Sequence, residues 1–247
     1  MADKIVEIHH LSYTYPNGTR ALDDVSLEVY DGESVGLVGR NGSGKSTLLL
    51  HLNGVMDHHS SRKGVVRIGG LDVEKKNLRP IRSLVGLVFQ DPDDQLFMPT
   101  VFDDVAFGPI NMGCSENEIR ERVDRALAQV DMLDFKHRAP YHLSGGQKRS
   151  VSIATVLSMD PKILVLDEPT SSLDPRGRRL LINLLKNLNI TKLIASHDLD
   201  MVVDICERCI LLDGGQVIAD GPTQVILSDE QLLLSHGLEK PLSLVER

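Results

Sequence analysis

The run GRNGSGKS, Gly39 to Ser46, constrains this 247-residue chain more than any other stretch. It matches G-x-x-x-x-G-K-[ST] in full, follows the apolar run SVGLV and precedes the helical pattern STLLLHLNG. Glycines at positions 39, 42 and 44 admit backbone angles closed to other residues, so successive N–H groups can converge on an anion. A helix beginning near Gly44 adds about half a positive charge at its N-terminus. The pattern predicts a nucleotide-phosphate site built from Gly39, Arg40, Asn41, Gly42, Ser43, Gly44, Lys45, Ser46 and Thr47. Lys45 is suited to the β- and γ-phosphates, and Ser46 to Mg²⁺.

Such a site needs a carboxylate at the end of a buried strand. KILVLDEP supplies two, with Asp167 placed to hold Mg²⁺ and Glu168 to polarise an attacking water. Phosphoryl transfer is mostly positioning and charge stabilisation, so these few groups suffice. A guanine reader of the form N-K-x-D is absent from the sequence, which argues against a GTPase.

The rest of the chain reads as α/β. VEIHHLSYTY, DVSLEVY, ESVGLVG and the pair VVRIGG/LDV are short β-rich runs separated by turn residues. VGLVF, KILVLDE and TKLIASHD are continuous apolar runs, as expected for parallel strands buried on both faces, with helical patterns between them. SENEIRERVDRALAQVDML carries a helical apolar stripe at Ile119, Val123, Ala126, Leu127, Val130 and Leu133, opened by a Ser115/Glu118 capping box. The expected organisation is one domain. A core with a β subdomain spans about 1–94 and 145–220, a helical subdomain about 95–144, and a tail 221–247.

A net charge of −8 argues against nucleic acid as the main partner. No apolar run approaches the roughly 18 residues that span a bilayer, and MADKIVEIHH has no signal-peptide core, so a cytoplasmic chain is expected. Of the three cysteines, Cys206 and Cys209 have C-x-x-C spacing. No second pair completes a zinc site, and structural roles are expected for both. His9–His10 follows a strand pattern and His58–His59 sits in a polar surface loop, and neither pair is expected to bind metal.

LSGGQ, Leu143 to Gln147, stands 20 residues before Asp167. With both nucleotide motifs, it makes the chain resemble the ABC ATPases over nearly its whole length. The resemblance implies a P-loop ABC ATPase core of mixed sheet and helices, an antiparallel β subdomain and a helical signature subdomain. Tyr15 matches the aromatic that stacks on adenine, with Tyr13 the weaker choice. Gln90 matches the glutamine sensing Mg²⁺ and the γ-phosphate, His197 the switch histidine, and Asp174, closing SSLD, the loop that crosses to a second subunit. Ser144, Gly145, Gly146 and Gln147 would meet the partner's ATP, ahead of a helix starting near Gln147. One phosphate loop and one signature per chain imply a head-to-tail dimer, with itself or with a paralogue. One departure is clear: QKRS puts Arg149 one position early and Ser150 where relatives have arginine, which bears on the helical subdomain or its partner contacts.

About 120 residues separate Lys45 from Asp167, with no heptads, which disfavours the chromosome and repair types. QDPDDQLF (Gln90 to Phe97), YTYPNG and VFDDVAFG resemble energy-coupling-factor importers, above all those for cobalt and nickel. That likeness implies a peripheral ATPase at the cytoplasmic face of the membrane. Its partners would be a small transmembrane coupling subunit and a membrane substrate-binding subunit. Docking is expected at Asp94, Leu96 and Phe97, an apolar spot rimmed by acids. A vitamin importer and a soluble ABC ATPase acting on nucleic acid are the alternatives.

Overall fold

The apolar runs fold as their periods dictate. The structure, a computed structural model, describes residues 3–56 and 62–245. Strands β1 (Lys4–Thr14), β2 (Arg20–Tyr30), β3 (Ser34–Val38), β4 (Arg62–Ile68) and β5 (Leu71–Asp72) come first. Later strands are β6 (Val85–Val88), β7 (Ile163–Asp167), β8 (Thr191–Ala195), β9 (Arg208–Asp213) and β10 (Gln216–Pro222). One sheet is antiparallel with order β2-β1-β4-β5; the other runs β10-β9-β3-β8-β7-β6. The second sheet is parallel except for β10, which pairs antiparallel to β9 at its edge.

The helices are α1 (Lys45–Leu52), α2 (Leu78–Leu84), α3 (Val101–Met112), α4 (Glu116–Gln129), α5 (Gly145–Leu157), α6 (Pro175–Asn187), α7 (Leu199–Ile205), α8 (Thr223–Ser228) and α9 (Glu230–Ser235). Helix α1 packs between the two sheets, against β2, β4, β7 and β8. Strand β7 shows why its run is continuously apolar: Ile163 and Val165 face the α1 side, while Leu164 and Leu166 face the helices beyond. Helix α5 packs on α3, α4, β6 and α6, so the helical layer continues through it.

The capping box at Ser115 forms, its backbone N–H donating to Glu118 at 2.8 Å. Val123, Ala126 and Leu127 are buried and Ile119 packs at the edge of the core, but Leu133 departs from the expected stripe. The helix ends at Gln129, so Leu133 falls in a following turn and is 43% exposed. Cys206 and Cys209 are buried where α7 runs into β9, and burial pushes both thiols up to about 12. His10 Nδ1 lies 2.8 Å from Asp24 on the surface of the antiparallel sheet; His58 and His59 fall outside the described residues. Among the described residues, no helix is long and apolar enough to cross a membrane, and no group of three His, Cys, Asp or Glu is placed to hold a metal.

Candidate active site

The phosphate loop joins β3 to α1 at the end of the parallel sheet. Gly39 has φ +153°, and a Cβ there would collide with the Leu212 carbonyl oxygen. Gly44 caps α1 without a side-chain hydrogen bond, which leaves the first-turn amides for an anion. Lys45 is buried and donates to the carbonyl oxygens of Gly39 at 2.7 Å and Arg40 at 3.1 Å. Burial lowers its pKa, against the pull of Glu168 and Asp167. The tail also comes close to the loop. Gly237 has φ +67°, and a Cβ there would stand 2.6 Å from Arg40 Cδ. The neighbouring His236 Nδ1 lies 2.9 Å from Asp213 at the end of β9. Nothing in the tail's composition signals this contact.

Asp167 ends β7, and the Ser46 hydroxyl on α1 is near enough to favour its charged form. Burial raises its carboxyl pKa, and its Oδ1 is buried with no protein partner. A hydroxyl and a carboxylate with one orphaned oxygen fit a hard divalent cation such as Mg²⁺. Gln90 is exposed two residues past Val88, which pairs with Leu166 next to Asp167.

Glu168 follows at φ +46°, a left-handed conformation uncommon outside glycine. It is 6% exposed. Its Oε2 accepts the His197 backbone N–H at 3.2 Å and the Ser196 hydroxyl at 3.3 Å, and lies 2.7 Å from His197 Nδ1. Its Oε1 is 4.0 Å from Lys45 Nζ. Thus Glu168, His197, Lys45, Asp167 and Ser46 gather at one end of the sheet.

Tyr15 is half-buried, and its hydroxyl is 2.9 Å from Thr47 Oγ1 on α1. Tyr13 is 6% exposed and packs edge-on to Tyr15 and His51, so it belongs to the core. Asp174 caps α6, its Oδ1 accepting from Gly177 N–H at 2.6 Å.

The signature corrects one expectation: α5 begins at Gly145, not near Gln147. Ser144 is the N-cap, and its capping box with Gln147 draws both glycines into the first turn. Arg149, read as a misplaced residue, is 2% exposed and donates to the carbonyl oxygens of Phe89 at 2.7 Å and Gln90 at 2.5 Å.

The segment after Gln90 also corrects an expectation. Leu96 is buried in the core with Val101 and Val105 rather than exposed. The short 3₁₀ turn Pro92–Asp94 tucks it in, with Leu96 N–H bonded to the Pro92 carbonyl at 2.9 Å. Phe97 is 64% exposed and meets Phe107 of α3 edge-on at 5.3 Å. Asp104, absent from the sequence reading, anchors this turn: its Oδ1 accepts from the Phe97 and Met98 amides at 3.0 Å each. Asp94 and Phe97 line a groove of about 790 Å³ between α2, α3 and this segment, together with Arg79, Phe107, Met112 and Met159.

This fold and cluster define a P-loop ATPase of the ABC class. The ABC transporter family model matches residues 22–171. A Geobacter sulfurreducens protein, provisionally named an ABC transporter ATP-binding protein, is 54% identical over 99% of this chain and 97% of its own. The energy-coupling factor transporter ATP-binding protein EcfA of Carboxydothermus hydrogenoformans is 48% identical, covering 96% of this chain and 87% of that one. Among solved structures, CbiO1 of Clostridium perfringens, part of the ABC transporter complex CbiONQ, superposes with TM-score 0.81 at 39% identity, covering 94% of each chain. The chain belongs to the ABC transporter ATP-binding proteins, in the energy-coupling-factor branch, and is an ATPase.

Proposed function

We propose that this chain is the ATP-hydrolysing energising subunit of a multi-subunit energy-coupling-factor importer, with cobalt or nickel ions as cargo. The observation that carries the reading is an adjacency. Gln90 comes two residues after Val88, which pairs with Leu166 next to Asp167, and a few residues later Asp94 and Phe97 line a groove with an exposed aromatic pair. An apolar cleft with charged edges suits an amphipathic helix from a membrane subunit. A small transmembrane coupling subunit would dock there and link the ATPase to a membrane substrate-binding subunit. The chain itself would sit peripherally at the cytoplasmic face. The cargo reading rests on QDPDDQLF and VFDDVAFG, and the CbiONQ membership of CbiO1 is in keeping with it.

In the reaction, Tyr15 would stack on adenine. The loop amides and Lys45 would hold the phosphates. Ser46, Asp167 and Gln90 would hold Mg²⁺, which would supply positive charge to offset that of the phosphates. Glu168 would orient the attacking water and His197 would contact the γ-phosphate. Ser144, Gly145, Gly146 and Gln147 would present a helix N-terminus to the partner's ATP, with Asp174 near the crossing loop. Two chains, identical or paralogous, would close two such sites.

The test is co-purification from membranes. The wild-type chain should carry a small membrane protein that is lost when Asp94 and Phe97 are both changed, and the complex should take up cobalt or nickel into vesicles with ATP. A chain that never associates with a membrane protein contradicts the reading. A complex that carries a vitamin instead corrects the cargo alone.

A further inference from the structure

Arg149 is a buried charge for which the reaction outlined above has no use. It stands one turn into α5 and is 2% exposed. Burying a guanidinium is costly unless its hydrogen bonds and charge are met. Here Nη1 donates to the Phe89 carbonyl at 2.7 Å, Nη2 donates to the Gln90 carbonyl at 2.5 Å, and Nε is buried without a partner. The acidic charges that favour it are Asp91 and Asp167. An apolar side chain would fill this space more cheaply, so the fork does something packing does not require.

Neighbouring residues of α5 grip the same stretch. Lys148 Nζ lies 2.6 Å from Asp93. The Gln95 amide nitrogen donates to the Ser152 carbonyl at 2.8 Å and to Thr155 Oγ1 at 2.7 Å, while its oxygen accepts the Phe89 N–H at 3.1 Å. These bonds tie residues 89–95 to the helix that begins at the signature, although β6, which leads into them, lies in the core sheet.

We propose that Arg149 is a positioning residue for Gln90: its fork fastens the sensing backbone to α5, so that Gln90 and the signature move as one body. Engagement of ATP in one chain's own site and presentation of its signature to the partner's ATP are then a single event. Arginine suits the task because its planar fork reaches two adjacent carbonyls at once, which a lysine ammonium on a flexible stem does not. The inference rests on the reading of Gln90 as the sensor.

A double-mutant cycle on the full chain tests it, following steady-state ATP hydrolysis against Mg²⁺ and ATP concentration. Arg149→Gln should lower kcat about tenfold, the effect of losing a charge-assisted hydrogen bond. It should also raise the Mg²⁺ concentration at half-maximal rate. Affinity for a fluorescent ATP analogue without Mg²⁺ should stay within about twofold. Arg149→Lys should fall between wild type and Arg149→Gln, and it carries the cycle if Arg149→Gln does not fold. Combined with Gln90→Ala, either Arg149 variant should be no slower than the slower single variant. Losses that multiply, or Arg149 variants with wild-type kinetics, overturn the inference. A Gln90→Ala enzyme with wild-type rate and Mg²⁺ dependence overturns the sensor reading itself.

Discussion

His197 Nδ1 stands 2.7 Å from Glu168 Oε2, and the same oxygen accepts the His197 backbone N–H at 3.2 Å. The residue after β7 and the second residue after β8 are thereby joined across the sheet edge, beside Lys45. Glu168 is thus held by its neighbour as well as by its own backbone. His197→Ala should lower kcat by about 10²-fold through lost positioning and charge stabilisation, with KM for ATP changed only a few-fold. Steady-state hydrolysis at saturating Mg²⁺ checks this; an unchanged kcat would remove His197 from the reaction.

Asp167 sits in the opposite balance, its charge poorly compensated without a cation. Burial raises its carboxyl pKa above the ordinary value, and the nearby Ser46 hydroxyl only partly opposes this. Between the ordinary and the raised value, the folded chain keeps a proton that the unfolded chain has lost. Stability contributed by this group therefore falls as pH rises through that window. Asp167→Asn should raise Tm of the nucleotide-free chain at neutral pH by about 2–4 °C, the shift that about 1 kcal/mol gives a domain of this size. Mg²⁺-dependent hydrolysis should be lost at the same time. Differential scanning calorimetry with an ATPase assay gives both readouts, and a lowered Tm would contradict the argument.

Leu96 and Phe97 are sequence neighbours with separate expected effects. Leu96→Ala leaves a cavity among Val101 and Val105 and should cost about 2–5 kcal/mol of stability. Phe97→Ala removes a largely exposed ring and should change stability by no more than about 0.5 kcal/mol. It should weaken binding of the membrane subunit about tenfold or more, as loss of an aromatic anchor does. Urea melts and a binding titration separate the two.

The pattern of what was legible follows from range. The phosphate loop and the Asp167–Glu168 pair could be read because each motif is contiguous and flanked by its own strand or helix. The buried parallel strands could be read from unbroken apolar runs. Strand β10 was missed: it alternates exposed and half-buried residues at a sheet edge, includes Gly221 and ends at Pro222, so no apolar face announces it. The start of α5 was placed two residues late because Gly145–Gly146 reads as loop, whereas the Ser144–Gln147 capping box makes it helix. Leu96 read as surface because acids precede it, and only the turn at Pro92 carries it inward. Arg149 looked like a slipped surface charge because its partners are backbone carbonyls about 60 residues away, which no local pattern reports.

In the proposed dimer two chains complete each nucleotide site, with one chain's phosphate loop facing the other's signature. Light scattering on the Glu168→Gln chain tests this dimer, because hydrolysis is expected to stop while both phosphate anchors remain. With ATP and Mg²⁺ the mass should double relative to the nucleotide-free chain, and Ser144→Arg at the signature should abolish the doubling. A monomer under both conditions, if the natural paralogue is also unable to complete a dimer, would contradict the composite site.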